Sequence, residues 1–246
     1  MELELYQLLL IVSIVLVASV IQSVTGFGFG IFAMIFLPYI LKYTEANVLS
    51  SMLSAFTSLA VLAATFKKVS WKNLIFPMIG CLVTTFLSVY FIKSQKNEFL
   101  TFLLGIALVV LSIYFFFFAK KIKIKPTWYA GLIAGTLSGI MGGMFSMSGP
   151  PVVIYFMQSE ENHEKYLATI SSYFVLSSVV SISTKAAAGF ITLNVWAAFG
   201  IGFVGMLAGT FAGKLIRHKL RPDIIKKSVY AVMAASGLLN VVMYFI

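Results

Sequence analysis

The chain has 246 residues, of which 60% are hydrophobic and only 11% charged, and its formal net charge is +10. Soluble domains carry about 25% charged residues, so this composition excludes a soluble globular enzyme, whose apolar surface it could not cover. The 18 Lys and Arg lie between apolar stretches, where loops of a membrane protein explain them and nucleic-acid binding does not.

No Asp, Glu, Lys, Arg or His interrupts residues 5–41, 46–66, 73–92, 99–119, 126–159, 166–184, 186–213 or 228–246. A bilayer core of about 30 Å takes roughly 20 apolar residues of helix. The chain therefore reads as an all-α polytopic membrane protein. Its start, Met1-Glu2-Leu3-Glu4, is acidic where a cleavable signal peptide would be basic. Apolar segments are expected at 5–24, 28–41, 46–66, 72–92 and 98–119. A basic connector follows, Lys120-Lys121-Ile122-Lys123-Ile124-Lys125-Pro126. Further segments are expected at 127–141, 150–158, 164–188, 193–213 and 226–245. Trp71, Trp128 and Trp196 each open a segment, as interfacial aromatics do.

Each half shows two segments split at a Gly-rich break, then three full spans. Thr25-Gly26, Gly30 and Pro38 correspond to Ser138-Gly139, Gly143 and Pro151 at a constant offset of 113. This pattern predicts an internal duplication: a first repeat over 1–119, a cytoplasmic connector over 120–126 and a second repeat over 127–246. Lys67, Lys68 and Lys72, the 120–125 cluster, and the cluster from Lys214 to Lys227 hold 13 of the 18 basic residues. Placing all three inside puts both termini outside and gives the repeats inverted topology, each with a broken or half-spanning helix pair followed by three transmembrane helices.

Segments 28–41 and 150–158 are too short to span comfortably. Irregular backbone at membrane depth is tolerated only where protein or water satisfies it. Matched interruptions in two halves point to a transporter's binding site, with helix N-termini favouring a small anion. The substrate-binding candidates are Gln22, Thr25, Gly26, Gly28, Gly30, Ser138, Gly139, Gly142, Gly143, Ser146, Ser148 and Gly149. Gly131, Gly135, Gly205, Gly209 and Gly213 recur at four-residue spacing and read as helix-packing positions. The hydroxyls of Ser50, Ser51, Ser54, Thr57 and Ser58, and of Thr169, Ser171, Ser172, Ser177 and Ser178, suit either helix–helix hydrogen bonds or a polar pathway. Gln22 and Gln158 suit helix contacts or substrate. Lys185, at the end of a long apolar run, is expected to snorkel to the outer interface, with an anion-attracting role as the other reading.

Gly28-Phe29-Gly30-Ile31-Phe32-Ala33 lacks the strand–helix context of a dinucleotide fingerprint. Cys81 is a lone cysteine, so an internal disulfide and a CxxC relay are excluded. No catalytic residue, metal site or cofactor is expected. An intramembrane enzyme, a passive channel and a membrane assembly factor are the competing classes. The first lacks polar catalytic groups in the spans, and the last lacks a soluble domain.

Val24-Thr25-Gly26-Phe27-Gly28-Phe29-Gly30, with Pro38 beyond, resembles the first signature of the TauE/SafE sulfite exporter family. Gly142-Gly143-Met144-Phe145-Ser146-Met147-Ser148-Gly149-Pro150-Pro151 resembles its second. The resemblance covers nearly the whole chain. It implies an inner-membrane permease for sulfite, sulfoacetate or related sulfur-containing organic anions, with the lipid bilayer and that anion as partners, no nucleic acid, and a homo-oligomer left open. The eight acids, Glu2, Glu4, Glu45, Glu98, Glu160, Glu161, Glu164 and Asp223, lie at ends or loops, so obligatory proton coupling is not expected.

Overall fold

A computed structural model describes residues 4–117, 125–216 and 222–245. Most of the basic connector 120–126 and part of the 214–227 cluster lie outside the described residues. The described residues form ten α-helices and no strand: α1 Leu5–Thr25, α2 Phe29–Phe36, α3 Tyr43–Thr65, α4 Trp71–Lys93, α5 Asn97–Phe117, α6 Trp128–Phe145, α7 Gly149–Ser159, α8 His163–Ala187, α9 Leu193–Ile216 and α10 Pro222–Met243. Each of the ten expected segments is a helix. Helices α1, α3, α4, α5, α8 and α9 are long and apolar enough to cross a membrane. With 8 and 11 residues, α2 and α7 reach only about 12 and 17 Å at 1.5 Å per residue, short of a bilayer core.

Beside an apolar core, the bundle buries many hydroxyls and leaves large apolar side chains on its outside, which a soluble protein avoids. Ser50, Thr57, Thr85, Ser112, Ser138 and Thr169 are buried, whereas Phe86, Leu87, Phe117, Leu207 and Phe211 are exposed. Lipid satisfies exposed apolar side chains and offers hydroxyls nothing, so this is the arrangement of a multi-pass membrane protein.

Small residues set the helix pairs. An added Cβ at Gly205 would stand 2.7 Å from the Val12 carbonyl, one at Gly209 2.9 Å from Ser19 Cβ, and one at Gly213 2.7 Å from Ser23 Cβ. Both series ascend together, so α1 and α9 run parallel. Gly139 lies against Cys81, and Gly143 against Thr85 and Ser88, in the parallel pair α4–α6. Helices α5 and α10 cross antiparallel where Gly105 meets Gly237, and Ser112 Oγ donates to the Tyr230 carbonyl at 2.9 Å. Helices α3 and α8 are also antiparallel. Ser51 meets Lys185 near one end, and an ion pair joins Lys68, just beyond α3, to Glu164 at the other. The second of these ends gathers Lys67, Lys68 and the Glu160–Glu164 loop, where Ser70 N donates to Thr169 Oγ1 at 3.0 Å.

The first break is as expected; the second falls within the expected gap between 141 and 150 but begins later than its Gly-rich stretch suggested. Helix α1 stops at Gly26, which adopts φ 83° and returns its N–H to the Gln22 carbonyl. Gly28, at φ 103°, precedes α2. Helix α6, however, runs unbroken through Ser138, Gly139, Gly142 and Gly143 to Phe145, and the chain turns only over Ser146–Ser148. Ser146 is left-handed at φ 55° and its N–H returns to the Gly142 carbonyl. The helix caps therefore match at an offset of 120, Gly26 with Ser146 and Gly28 with Ser148, not at 113. The slip of seven residues is about two helical turns. It leaves each glycine on the same helix face, which is why the motif repeats at the wrong register.

Candidate functional site

The two breaks lie back to back. A Cβ on Gly30 would collide with the Ser146 carbonyl, while one on Gly149 would stand 3.4 Å from Phe27 Cβ. Only a residue without a side chain lets α2 cross the end of α6 this closely.

Side chains, at the first break from α1 itself and at the second from neighbouring helices, satisfy backbone that the breaks set free. Thr25 Oγ1 lies 2.8 Å from the Ile21 carbonyl and 2.6 Å from that of Phe27, closing the first turn on itself. At the second break, Tyr43 OH donates to the Met144 carbonyl at 2.7 Å, and Asn47 Nδ2 donates to the same oxygen at 2.6 Å. Ser146 Oγ donates to the Asn47 carbonyl at 2.8 Å and is also hydrogen-bonded to Ser51 Oγ. Ser138 Oγ donates to the Ser148 carbonyl at 2.6 Å and accepts from Tyr173 OH at 2.7 Å.

Small cavities string together along this crossing. The central one, about 20 Å³, is lined by Gln22, Phe27, Gly28, Gly30, Ser54, Ser146, Ser148, Gly149 and Phe174. A second of about 20 Å³ shares Ser54, Ser146 and Ser148 and adds Ser51, Cys81, Thr85, Gly142, Ser177, Ser178 and Ser181. A third of about 40 Å³ shares Gln22 and adds Ser23, Thr25, Gly26, Ser58, Val61, His163, Leu167 and Ser171. A water needs about 10–15 Å³ by the same measure, so the two smaller cavities hold one or two waters each and the third a few. The second and third cavities are counterparts at the 120-residue offset. Gln22, Gly26, Ser58, Val61 and Ser171 line one where Gly142, Ser146, Ser178, Ser181 and Ser51 line the other.

Nine of the twelve expected site residues, Gln22, Thr25, Gly26, Gly28, Gly30, Gly142, Ser146, Ser148 and Gly149, line these cavities. Ser138 stands behind Ser148 as its hydrogen-bonding support. Gly139 and Gly143 face α4, where their missing side chains permit close packing. Gln22 both packs and lines: its Nε2 donates to Ser58 Oγ at 2.9 Å. The hydroxyls of Ser51, Ser54, Ser58, Ser171, Ser177 and Ser178 face the cavities.

Lys185 departs from expectation. It does not snorkel but is fully buried. Its Nζ donates to Ser51 Oγ at 2.7 Å, with the Gly142 carbonyl and Ser146 Oγ each at 3.4 Å. The pattern Ser177, Ser181, Lys185 places these groups on one face at four-residue spacing. That spacing was the signal in the sequence that a polar stripe runs along α8.

The profile of a family described as "Sulfite exporter TauE/SafE" matches residues 11–239. A protein of Cupriavidus necator named "Probable sulfite/organosulfonate exporter TauE" is 21% identical over 228 residues, which cover 88% of this chain and 86% of that protein. No solved structure matches. An all-helical membrane bundle with both motifs at its two helix breaks, matched by that profile over nearly its full length, belongs to the sulfite exporter TauE/SafE family.

Proposed function

We propose that this protein is a secondary transporter of small sulfur-containing anions, of the sulfite, sulfoacetate or organosulfonate kind, and that the anion passes where the two breaks cross. The crossing of Gly30 over Ser146, with hydroxyl-lined cavities on either side of it, carries this reading. The first three N–H groups of α2, on Phe29, Gly30 and Ile31, belong to residues lining the central cavity and precede the first intrahelical donor, Phe32, which bonds the Gly28 carbonyl. Free donors and the positive end of the helix dipole favour an anion there. Helix α7 contributes fewer donors, because Pro150 and Pro151 in its first turn have no N–H.

The halves 1–119 and 127–246 act as inverted repeats in this reading. Exchanging them turns the α1–α9 pair into α6–α4 and maps α3–α8 and α5–α10 onto themselves, which supports a two-fold relation. In this reading the Lys67–Lys68 end is cytoplasmic and both termini are outside, which the distribution of basic residues supports, and the family supports the inner membrane. The Cupriavidus relative's name supports export as the direction.

Counterflow in proteoliposomes tests the reading. Vesicles loaded with sulfite or sulfoacetate should accelerate uptake of the labelled anion from outside, with saturation. No uptake of any sulfite, sulfoacetate or organosulfonate by folded protein would overturn it, and linear, non-saturating flux would make it a channel.

A further inference from the structure

We infer that Lys185 gives the pathway its selectivity for charge, by setting a positive field behind the cavity whose wall includes Ser51, Gly142 and Ser146 and whose hydroxyls receive the anionic sulfite or sulfonate head group when the cavity widens for passage. The inference rests on the transport reading above and names the group that would discriminate an anion from a neutral molecule of the same shape.

Three observations converge on this cavity. The Lys185 side chain has 0% exposure, and its Nζ bonds three of the lining residues directly. Among the described residues, the ion pairs are Lys68–Glu164 and Lys165–Glu161, and no carboxylate accompanies Lys185. The nearby acid of α3, Glu45, is engaged elsewhere, its Oε1 accepting from Thr192 Oγ1 at 2.6 Å. Ser181, one turn before Lys185 on α8, lines the same cavity with its Oγ buried and without a hydrogen-bond partner.

An ammonium held in a low-dielectric bundle without a counter-ion is costly, and an apolar side chain of similar volume would be the more stable choice. A carboxylate neighbour would cancel its field; hydroxyls and one carbonyl leave the field available. The unsatisfied Ser181 hydroxyl adds a donor on the cavity side. An anion entering the cavity meets both, whereas a neutral ligand gains only the hydroxyl. The counterpart of Lys185 at the 120-residue offset is Thr65, so no buried lysine stands behind the matched cavity, where His163 is the ionisable residue of the wall.

Methanesulfonate and dimethyl sulfone are close in size and shape and differ by one charge, so the ratio of their affinities reads the field directly. Calorimetry on purified wild-type protein should show methanesulfonate binding about tenfold or more tighter than the sulfone. In Lys185→Gln, which can still donate to Ser51 and Gly142, that ratio should fall towards one while sulfone affinity holds. A role confined to packing would weaken both ligands together and leave the ratio intact, and that result overturns the inference. Should Lys185→Gln fail to fold, Ser51→Asp keeps the lysine and neutralises it in place, and should collapse the same ratio. Equal wild-type affinities for the two probes would also overturn the inference. Wild type that transports sulfite but shows an unchanged ratio in either variant would reject the role of Lys185 and leave the transport reading standing. Wild type with neither binding nor flux would reject both.

Discussion

Gly30 in α2 rests directly on the Ser146 carbonyl at the end of α6, backbone against backbone. This contact joins the two breaks, which lie 120 residues apart in sequence, at one crossing. Replacing Gly30 with Ala drives a methyl group into a carbonyl fixed by neighbouring hydrogen bonds. Strain of this kind costs about 1–3 kcal/mol. The expected outcome is a clear fall in melting temperature in detergent, with transport lost at temperatures where the variant is still folded.

The glycines of the two motifs should separate into two classes. Gly28 has φ 103° and faces the central cavity, where an added Cβ would meet Ile21 Cγ2 at 3.3 Å. Left-handed backbone costs a non-glycine residue about 1–2 kcal/mol, so Gly28→Leu should assemble at reduced stability with its side chain in the pathway and its flux abolished. Gly143→Leu and Gly209→Leu meet α4 and α1 and should instead lose yield in the membrane fraction. Normal flux through folded Gly28→Leu would move the site elsewhere.

Ser138 supports the second break from behind. Ser138→Ala strands the Ser148 carbonyl and the Tyr173 hydroxyl together, and an unmade buried hydrogen bond costs about 1–3 kcal/mol. Thermal unfolding should show destabilisation of that order. Substrate affinity should change much less, because Ser138 does not line the cavities.

Sidedness can be read by cysteine labelling after Cys81 is replaced. Lys68 and Glu161 lie at one end of the bundle with the Lys68–Glu164 pair, so cysteines there should react from the same side, the cytoplasmic one. Asn97, which opens α5 at the far end of α4, should react from the opposite side. Labelling of 214–227 from the outside would defeat the inverted-repeat reading.

Export needs no proton if the anion follows the membrane potential, which supplies about 2.3 kcal/mol per charge per 100 mV. Flux in proteoliposomes should respond to an imposed potential alone. Lys185 is the ionisable residue that the acid count overlooked. Uphill flux driven by a pH gradient at zero potential would therefore assign it a proton-carrying role.

The helices were legible in sequence because lipid and backbone impose strong, local rules. Charge-free runs mark spans, and Gly26 and Gly28 mark a turn that needs left-handed backbone. The second break was begun too early, at Ser138-Gly139, because glycines do not break a helix when a close neighbour occupies the space they leave. Gly139 and Gly143 fit against α4, and it is Ser146, a residue with no turn signature of its own, that turns left-handed. Its geometry is held by Asn47 and Ser51 from α3, nearly a hundred residues earlier. Lys185 is the same lesson in electrostatics. A long cation near a helix end can snorkel outward or turn inward, and the polar contacts that turn it inward come from α3 and α6. Local chemistry thus determined the elements. Packing between distant helices alone decided where the breaks cross and which way the buried charge points, because those contacts have no local signature.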